Sequence, residues 1–226
     1  NVITQTIQML SEGPFAIWLG FGARHASKEI LELAERTGAA VMCSPRGKGI
    51  FPENHSQFIG VTGLGGHGSV MSHMQDQTPL HTLVLGTRLG EPTSFWNPTM
   101  IPPGGFIHVD SDAEVPGVAF PNAPTFPIQC DIKVFVQALL DRLPTDFPLT
   151  STLTLPNPEK DEIKEATVPL VRPEVLMEAI QKVIVEGSDA IVMAESGNSF
   201  TWSTHCLRFS NANRYRVSTG VGSMGH

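Results

Sequence analysis

Phe15–Gly20 reads FAIWLG, an apolar run too short for a buried helix and closed by glycine. Those are the marks of a strand covered on both faces. Gly20-Phe21-Gly22-Ala23 then turns into a helix expected from about Ser27 to Arg36. Ser27 is placed to cap it, Ile30, Leu31, Leu33 and Ala34 form its inner face, and Gly38 ends it. Ala39–Cys43 is the next strand. A strand, a glycine turn, a helix and a strand in close succession leave one economical packing. The helix crosses over, and the two strands lie parallel.

The same grammar continues. Thr82–Leu85 reads as a strand that breaks at Gly86, Phe106–Asp110 (FIHVD) as another, and Pro127–Cys130 as a short fifth. Asp131 caps a helix to about Leu143, with Val134, Phe135, Ala138 and Leu139 inward, and Val2–Leu10 makes a short opening helix. The expectation is an α/β fold. Residues 1–145 form a Rossmann-like domain on a parallel sheet of about five or six strands. Between Arg46 and Ser69, Gly47, Gly49, Gly60, Gly63, Gly65, Gly66 and Gly68 accumulate with neither a helical nor a strand period. That stretch is expected to be a ligand-facing loop system.

Prolines and mixed charges then mark residues 146–172 as a linker. Residues 173–226 begin a second α/β unit. Pro173 opens a helix to about Val185, with Val175, Leu176, Ala179, Ile180, Val183 and Ile184 at helical spacing. Ala190–Ala194 is a strand, Glu195–Phe200 a polar turn, Thr201–Leu207 a helix, Tyr215–Ser218 a strand and Gly220–Gly225 a glycine-rich turn.

Composition bounds the function. At 226 residues, 41% hydrophobic and 16% charged, the chain can bury a sizeable core. A net charge of −7 with scattered acids argues against nucleic acid as partner. No apolar run approaches the roughly 20 residues of a bilayer span, and no signal-peptide pattern opens the chain. Cys43, Cys130 and Cys206 lack metal-ligand spacing and read as reduced thiols, which places the protein in the cytoplasm. Both ends are expected to be cut. Asn1 opens without methionine, and His226 follows a glycine turn that points toward another helix.

Ligands of open α/β sheets bind at the carboxyl ends of strands. There Gly20–Gly22, Gly66–Gly68 and Gly86–Arg88 are expected to converge on a diphosphate, glycines offering N–H donors and Arg88 its charge. Asp110 is placed for a ribose hydroxyl. Ordinary α/β turns carry the same glycines, and Ala23-Arg24-His25 breaks the GxGxxG of a dinucleotide site. An NAD-linked oxidoreductase is accordingly weaker. His67, His73 and His81 suit backbone hydrogen bonds better than a metal, since no Cys, Asp or Glu completes a known spacing. Ser196 and Ser199 lie outside any GxSxG.

Five segments, in order, carry a resemblance. TGAAVMCSPRGKGIFPENHSQFIGVTGLGG, then LVLGTRLG, then FIHVDSD resemble the middle domain of thiamine-diphosphate-dependent enzymes of the acetolactate synthase and 2-oxo acid decarboxylase family. AIVMAESGNSF and VSTGVGSMGH resemble the opening of that family's diphosphate-binding domain. The resemblance implies decarboxylation of a 2-oxo acid and transfer of the resulting acyl anion equivalent. It implies thiamine diphosphate and Mg2+ as cofactors and a homodimer or homotetramer when intact. Gly197, Asn198 and Ser199 would lie near the cofactor's diphosphate. Gly222, Ser223 and Met224 would hold its aminopyrimidine, the Gly222 carbonyl accepting from the 4′-amino group and the Met224 side chain wedged between the two rings. FAD or ADP in the middle domain would meet Gly20, Phe21, Gly22, Gly66, His67, Gly86, Thr87, Arg88, Asp110 and Ser111. No catalytic residue and no metal ligand is assigned within the chain. The family's glutamate precedes it, and the Gly-Asp-Gly metal motif follows residue 226, so the piece alone is expected to be inactive. The competing reading is a non-catalytic FAD- or ADP-binding module with an assembly or regulatory role.

Overall fold

The computed structural model describes residues 1–148, 154–160 and 170–218. Its first unit runs α1 (Val2–Ser11), β1 (Phe15–Leu19), α2 (Ser27–Thr37), β2 (Ala40–Cys43), β3 (Phe58–Val61), α3 (Gly68–Asp76), β4 (His81–Leu85), α4 (Glu91–Ser94), β5 (Phe106–Asp110), β6 (Thr125–Gln129) and α5 (Ile132–Leu140). The strands form one six-stranded sheet in the order β3-β2-β1-β4-β5-β6, and every neighbouring pair is parallel. The chain winds outward from β1 to β3, returns to set β4 beside β1, and winds out the other way. Between the carboxyl ends of β1 and β4 this reversal opens a crevice.

Burial on both faces explains why the strands read as continuous apolar runs. Along β1, Phe15, Ile17 and Leu19 join Ile30 and Leu33 of α2 and Phe135, Val136 and Leu139 of α5 in one layer. Ala16 and Trp18 join Met42, Val70, Met74 and Val84 in the other. Pro127 sits in β6, at the edge of the sheet, where a missing N–H costs no ladder bond.

Three local expectations are corrected. The Arg46–Ser69 stretch is not all loop, because Phe58, Ile59 and Val61 are buried in β3 and Gly68 opens α3. A four-residue strand interrupted by Gly60 is too short to show a period. Val134 points outward at 62% exposure, and Val136 takes the inward place. Asp131 caps the helix by accepting from the Val134 N–H, and from Ile132 the inner stripe then runs through Phe135, Val136, Leu139 and Leu140. Ala26, not Ser27, is the N-cap of α2, and the Ser27 hydroxyl donates to the Ile50 carbonyl instead.

The second unit comprises α6 (Pro173–Ile180), a π-turn at Gln181–Val185, β7 (Val192–Glu195), α7 (Asn198–Cys206) and β8 (Tyr215–Ser218). β7 and β8 pair in parallel. Met177, Val185, Leu207, Phe209 and Tyr215 form a small core. Val175, Leu176, Val183 and Ile184, read as apolar positions at helical spacing, stay substantially exposed. The π-turn resets the helical spacing after Ile180, and only two strands among the described residues lie in this unit's sheet. The expected linker at 146–172 falls partly outside the described residues.

Candidate functional site

The loops leaving β1 and β4 are pressed together. A Cβ added at Gly20 would lie 2.2 Å from the Gly86 carbonyl oxygen. Gly86 itself has φ +67, and its Cβ would lie 2.7 Å from the Gly22 Cα. Glycine is required on both sides of this seam. The Gly20 N–H donates to Leu85 O at 2.8 Å, Gly22 to Gly86 O at 3.0 Å and Gly86 to Val109 O at 3.0 Å. These glycines therefore bind the two loops to each other, and their N–H groups are spent inside the protein. Among the described residues the Thr87 and Arg88 N–H groups are not engaged in that way.

A cleft of about 350 Å³ opens at the seam, walled by Phe21, Gly22, Arg46, Thr87, Arg88 and Asp110, with Phe200 of α7 on its far side. Arg88 is 79% exposed and reaches Asp112 at 3.3 Å, a loose pair that leaves the guanidinium accessible. The Asp110 carboxylate accepts the Asp112 N–H at 3.0 Å. Thr87 is buried, its carbonyl accepting from His108 Nε2 at 2.9 Å. Ser111 is exposed beside the cleft but does not wall it, and its carbonyl faces Gln129.

Gly66 and His67 lie elsewhere, ahead of α3. The Gly66 N–H closes onto Gly63 O at 2.9 Å. His67 is buried, and its Nδ1 accepts from the Val61 N–H at 3.0 Å. Its Nε2 stands 2.9 Å from Arg208 Nη2, and its ring stacks on His205 at 4.8 Å. Burial, reinforced by the Arg208 charge, pushes His67 down to about 3, so the imidazole is neutral. The donors at the start of α3 are already occupied: the Gly68 and Ser69 N–H groups donate to the Glu159 carboxylate. Burial pushes that carboxyl up, but the backbone donors outweigh it and hold it below its ordinary value. Of the three glycine turns expected to converge on one diphosphate, the structure brings together those after β1 and β4 and sets the Gly66–Gly68 turn apart.

A feature the sequence reading missed joins the two units. Lys48 and Glu53, both with side chains at 0% exposure, pair at 2.8 Å. Lys48 Nζ also donates to Leu207 O at 2.7 Å, and Glu53 accepts from the N–H groups of Gly49 and Phe209. The Glu53 N–H returns a bond to Phe209 O at 2.9 Å. Every proton of the ammonium has an acceptor, which is the condition for burying such a pair at all. The signal was present as a lysine between two glycines followed by Ile50-Phe51 and a glutamate, charges set among residues that pack. This clasp holds the segment between α7 and β8 against the first unit.

In the second unit β7 and β8 end level, with Glu195 opposite Ser218 and the Ser196 hydroxyl donating to Ser218 O at 3.1 Å. Neighbouring strands lie about 4.8 Å apart. The turn carrying Gly197, Asn198 and Ser199 thus leaves beside the strand that leads toward Gly222, Ser223 and Met224, which themselves lie outside the described residues. Gly197, at φ +116, precedes α7, has no side-chain cap over the helix start, and a Cβ there would meet nothing within 4 Å. An uncapped helix start facing open space fits a diphosphate. Among the described residues no group of three or more His, Cys, Asp or Glu is placed to hold a metal ion, and no helix is long and apolar enough to cross a membrane.

Residues 3–139 match the family described as Thiamine pyrophosphate enzyme, central domain. The chain is similar to the acetolactate synthase of Mycobacterium avium, 28% identical over 88% of this chain and 33% of that protein. It is similar to the acetolactate synthase large subunit of Corynebacterium glutamicum, 25% identical over 99% of this chain and 37% of that protein. It is also similar to pyruvate decarboxylase 1 of Nicotiana tabacum, 29% identical over 88% of this chain and 46% of that protein. The chain spans between a third and a half of the length of these curated relatives.

Proposed function

Since the chain belongs to the thiamine pyrophosphate enzymes through its central domain, we propose that it is the middle domain and the start of the diphosphate-binding domain of an enzyme that decarboxylates a 2-oxo acid and passes on the acyl anion equivalent. The observation that supports this reading is the level exit of β7 and β8, with Glu195 opposite Ser218, so that the 197–199 turn starts next to the end of β8. Thiamine diphosphate, held with Mg2+, would supply the electron sink that the side chains of this unit lack. Asn198 and Ser199 would take its diphosphate with their N–H groups at the start of α7, where the helix dipole adds partial positive charge. The Gly222 carbonyl would accept from the aminopyrimidine and Met224 would hold the two rings at an angle.

The middle-domain cleft would take FAD or ADP, with Thr87 and Arg88 as the donors that remain available and Asp110 as the ribose acceptor. The intact enzyme would assemble as a homodimer or homotetramer in the cytoplasm. The test is CO2 release from pyruvate and longer 2-oxo acids by the full polypeptide that carries these residues. Turnover should require thiamine diphosphate and Mg2+, and Asn198→Pro, which removes that N–H at the first helical position where proline fits, should raise the thiamine diphosphate concentration needed for half-maximal rate. Turnover indifferent to thiamine diphosphate would overturn the reading.

A further inference from the structure

The helix whose start would take the diphosphate is held at its other end by the first unit. A Cβ added at Gly65, whose φ is +73, would lie 2.9 Å from the Thr201 carbonyl oxygen and 3.2 Å from Thr204 Cβ. The turn ahead of α3 therefore lies directly against α7. Its next two residues bond to the helix. His205 Nδ1 donates to Gly66 O at 3.1 Å, and His67 Nε2 donates to His205 O at 3.0 Å. The His205 carbonyl belongs to the last turn of α7, where backbone acceptors lack helical partners. The Phe209 N–H, which a longer helix would offer it, goes to Glu53 instead. Arg208 Nη1 supplies a second donor to the same oxygen.

His67 can hold the helix because its own ring is fixed. Its N–H donates to Val61 O at 2.9 Å, and its Nδ1 accepts from the Val61 N–H at 3.0 Å. Residue and ring are thus tied to the end of β3 at two points. Gly60 makes room for the ring, since a Cβ there would lie 3.0 Å from Nδ1. Burial keeps the imidazole neutral, and a neutral ring that accepts at Nδ1 carries its proton on Nε2, the side that faces α7. At the start of α7 the Ser196 and Ser199 hydroxyls donate to Ser218 O and Glu195 O, within the second unit. A helix moves as a rod, and His205 lies about 10 Å along the axis from Asn198. A donor fixed to the sheet of the first unit at one end sets where the N–H groups at the other end stand.

We propose that His67 is a positioning residue for thiamine diphosphate: through His205 O it fixes α7, and with it the N–H groups of Asn198 and Ser199 that would receive the diphosphate. This rests on the reading of the α7 start as the diphosphate site. It assigns His67 to the thiamine cofactor, not to the FAD or ADP cleft.

The test is calorimetric titration of the full polypeptide with thiamine diphosphate and Mg2+, alongside melting temperature and kcat at saturating cofactor. His67→Asn keeps an acceptor for the Val61 N–H and is too short to reach His205 O. It should weaken thiamine diphosphate about tenfold, the order expected when one hydrogen bond is lost. His67→Gln spaces its amide oxygen and nitrogen much as the imidazole spaces Nδ1 and Nε2, reaches both partners, and should recover most of that affinity. In both variants kcat at saturating cofactor should fall less than affinity. His205→Ala removes the bond to Gly66 from the helix side and should also weaken the cofactor, which keeps the test decisive where His67→Asn does not fold. Wild-type affinity in His67→Asn, or in His205→Ala where the first variant is unfolded, overturns the proposal. So does an equal loss in His67→Asn and His67→Gln, or a loss of kcat with affinity unchanged. Asn198→Pro acts at the helix start itself. If it weakens the cofactor and His67→Asn does not, the diphosphate site stands and the positioning role falls. If the wild-type polypeptide binds no thiamine diphosphate, both fall.

Discussion

His67 spends its two ring nitrogens on Val61 and on the His205 carbonyl, Nδ1 accepting and Nε2 donating, and that has a price in acid. Burial holds His67 near 3 and pushes His73 and His108 down as well. In the unfolded chain each takes a proton near 6.5, whereas the folded chain resists it. Stability present above pH about 6.5 is therefore lost as pH falls toward 3, His67 alone contributing up to about 1.4 kcal/mol per pH unit. Urea unfolding across that interval should show the slope, and His67→Gln, which keeps an acceptor for Val61, should flatten it. A variant with the wild-type slope would remove His67 from the account. Met224 makes a different prediction, in the intact enzyme. If its side chain keeps the cofactor rings at an angle, Met224→Ala should lower kcat by about 10²-fold while thiamine diphosphate affinity falls less. Met224→Leu preserves bulk and should retain most activity. An alanine variant at the wild-type rate would end that assignment.

At the scale of elements, the seam between the β1 and β4 loops is the feature on which the cleft depends. Gly20→Ala would drive a methyl group into the Gly86 carbonyl and should cost about 1–3 kcal/mol of stability. Gly90→Ala, where a Cβ meets nothing within 4 Å, is the control and should change the melting temperature little. Equal effects at both positions would mean that the seam is not tight. The strands of this seam were legible because FAIWLG and the run ending at Leu85 are apolar on both faces. β3 was not legible, since four residues with a glycine among them give no period. Nor did the sequence show that the Gly66–Gly68 turn faces Glu159 and the second unit instead of the cleft, because glycines look alike whether they meet a ligand or a neighbouring loop. The outward place of Val134 followed from where the Asp131 cap starts the helix, a one-residue matter that hydrophobicity alone does not settle.

For the whole molecule, the Lys48–Glu53 clasp joins the unit that holds the nucleotide-like cleft to the unit that carries the candidate thiamine diphosphate turn. Lys48→Met would leave the Glu53 carboxylate buried without its partner, a loss of about 3–5 kcal/mol. Adding Glu53→Gln removes that charge while keeping an acceptor for the Phe209 N–H, and should restore part of the loss. In Lys48→Met the units should also unfold separately, so that fluorescence from Trp18 and from Trp202, isolated by replacing the other tryptophans, gives midpoints that no longer coincide. Coincident midpoints with unchanged stability would reduce the clasp to a bystander. The same burial makes Lys48 a clock. With its ammonium sealed and all its protons donated, it cannot meet an acylating reagent until the units part, whereas Lys28 and Lys133 lie open at the surface. The lag before a label appears on Lys48, read by peptide mass spectrometry, measures how often this protein comes apart along its length.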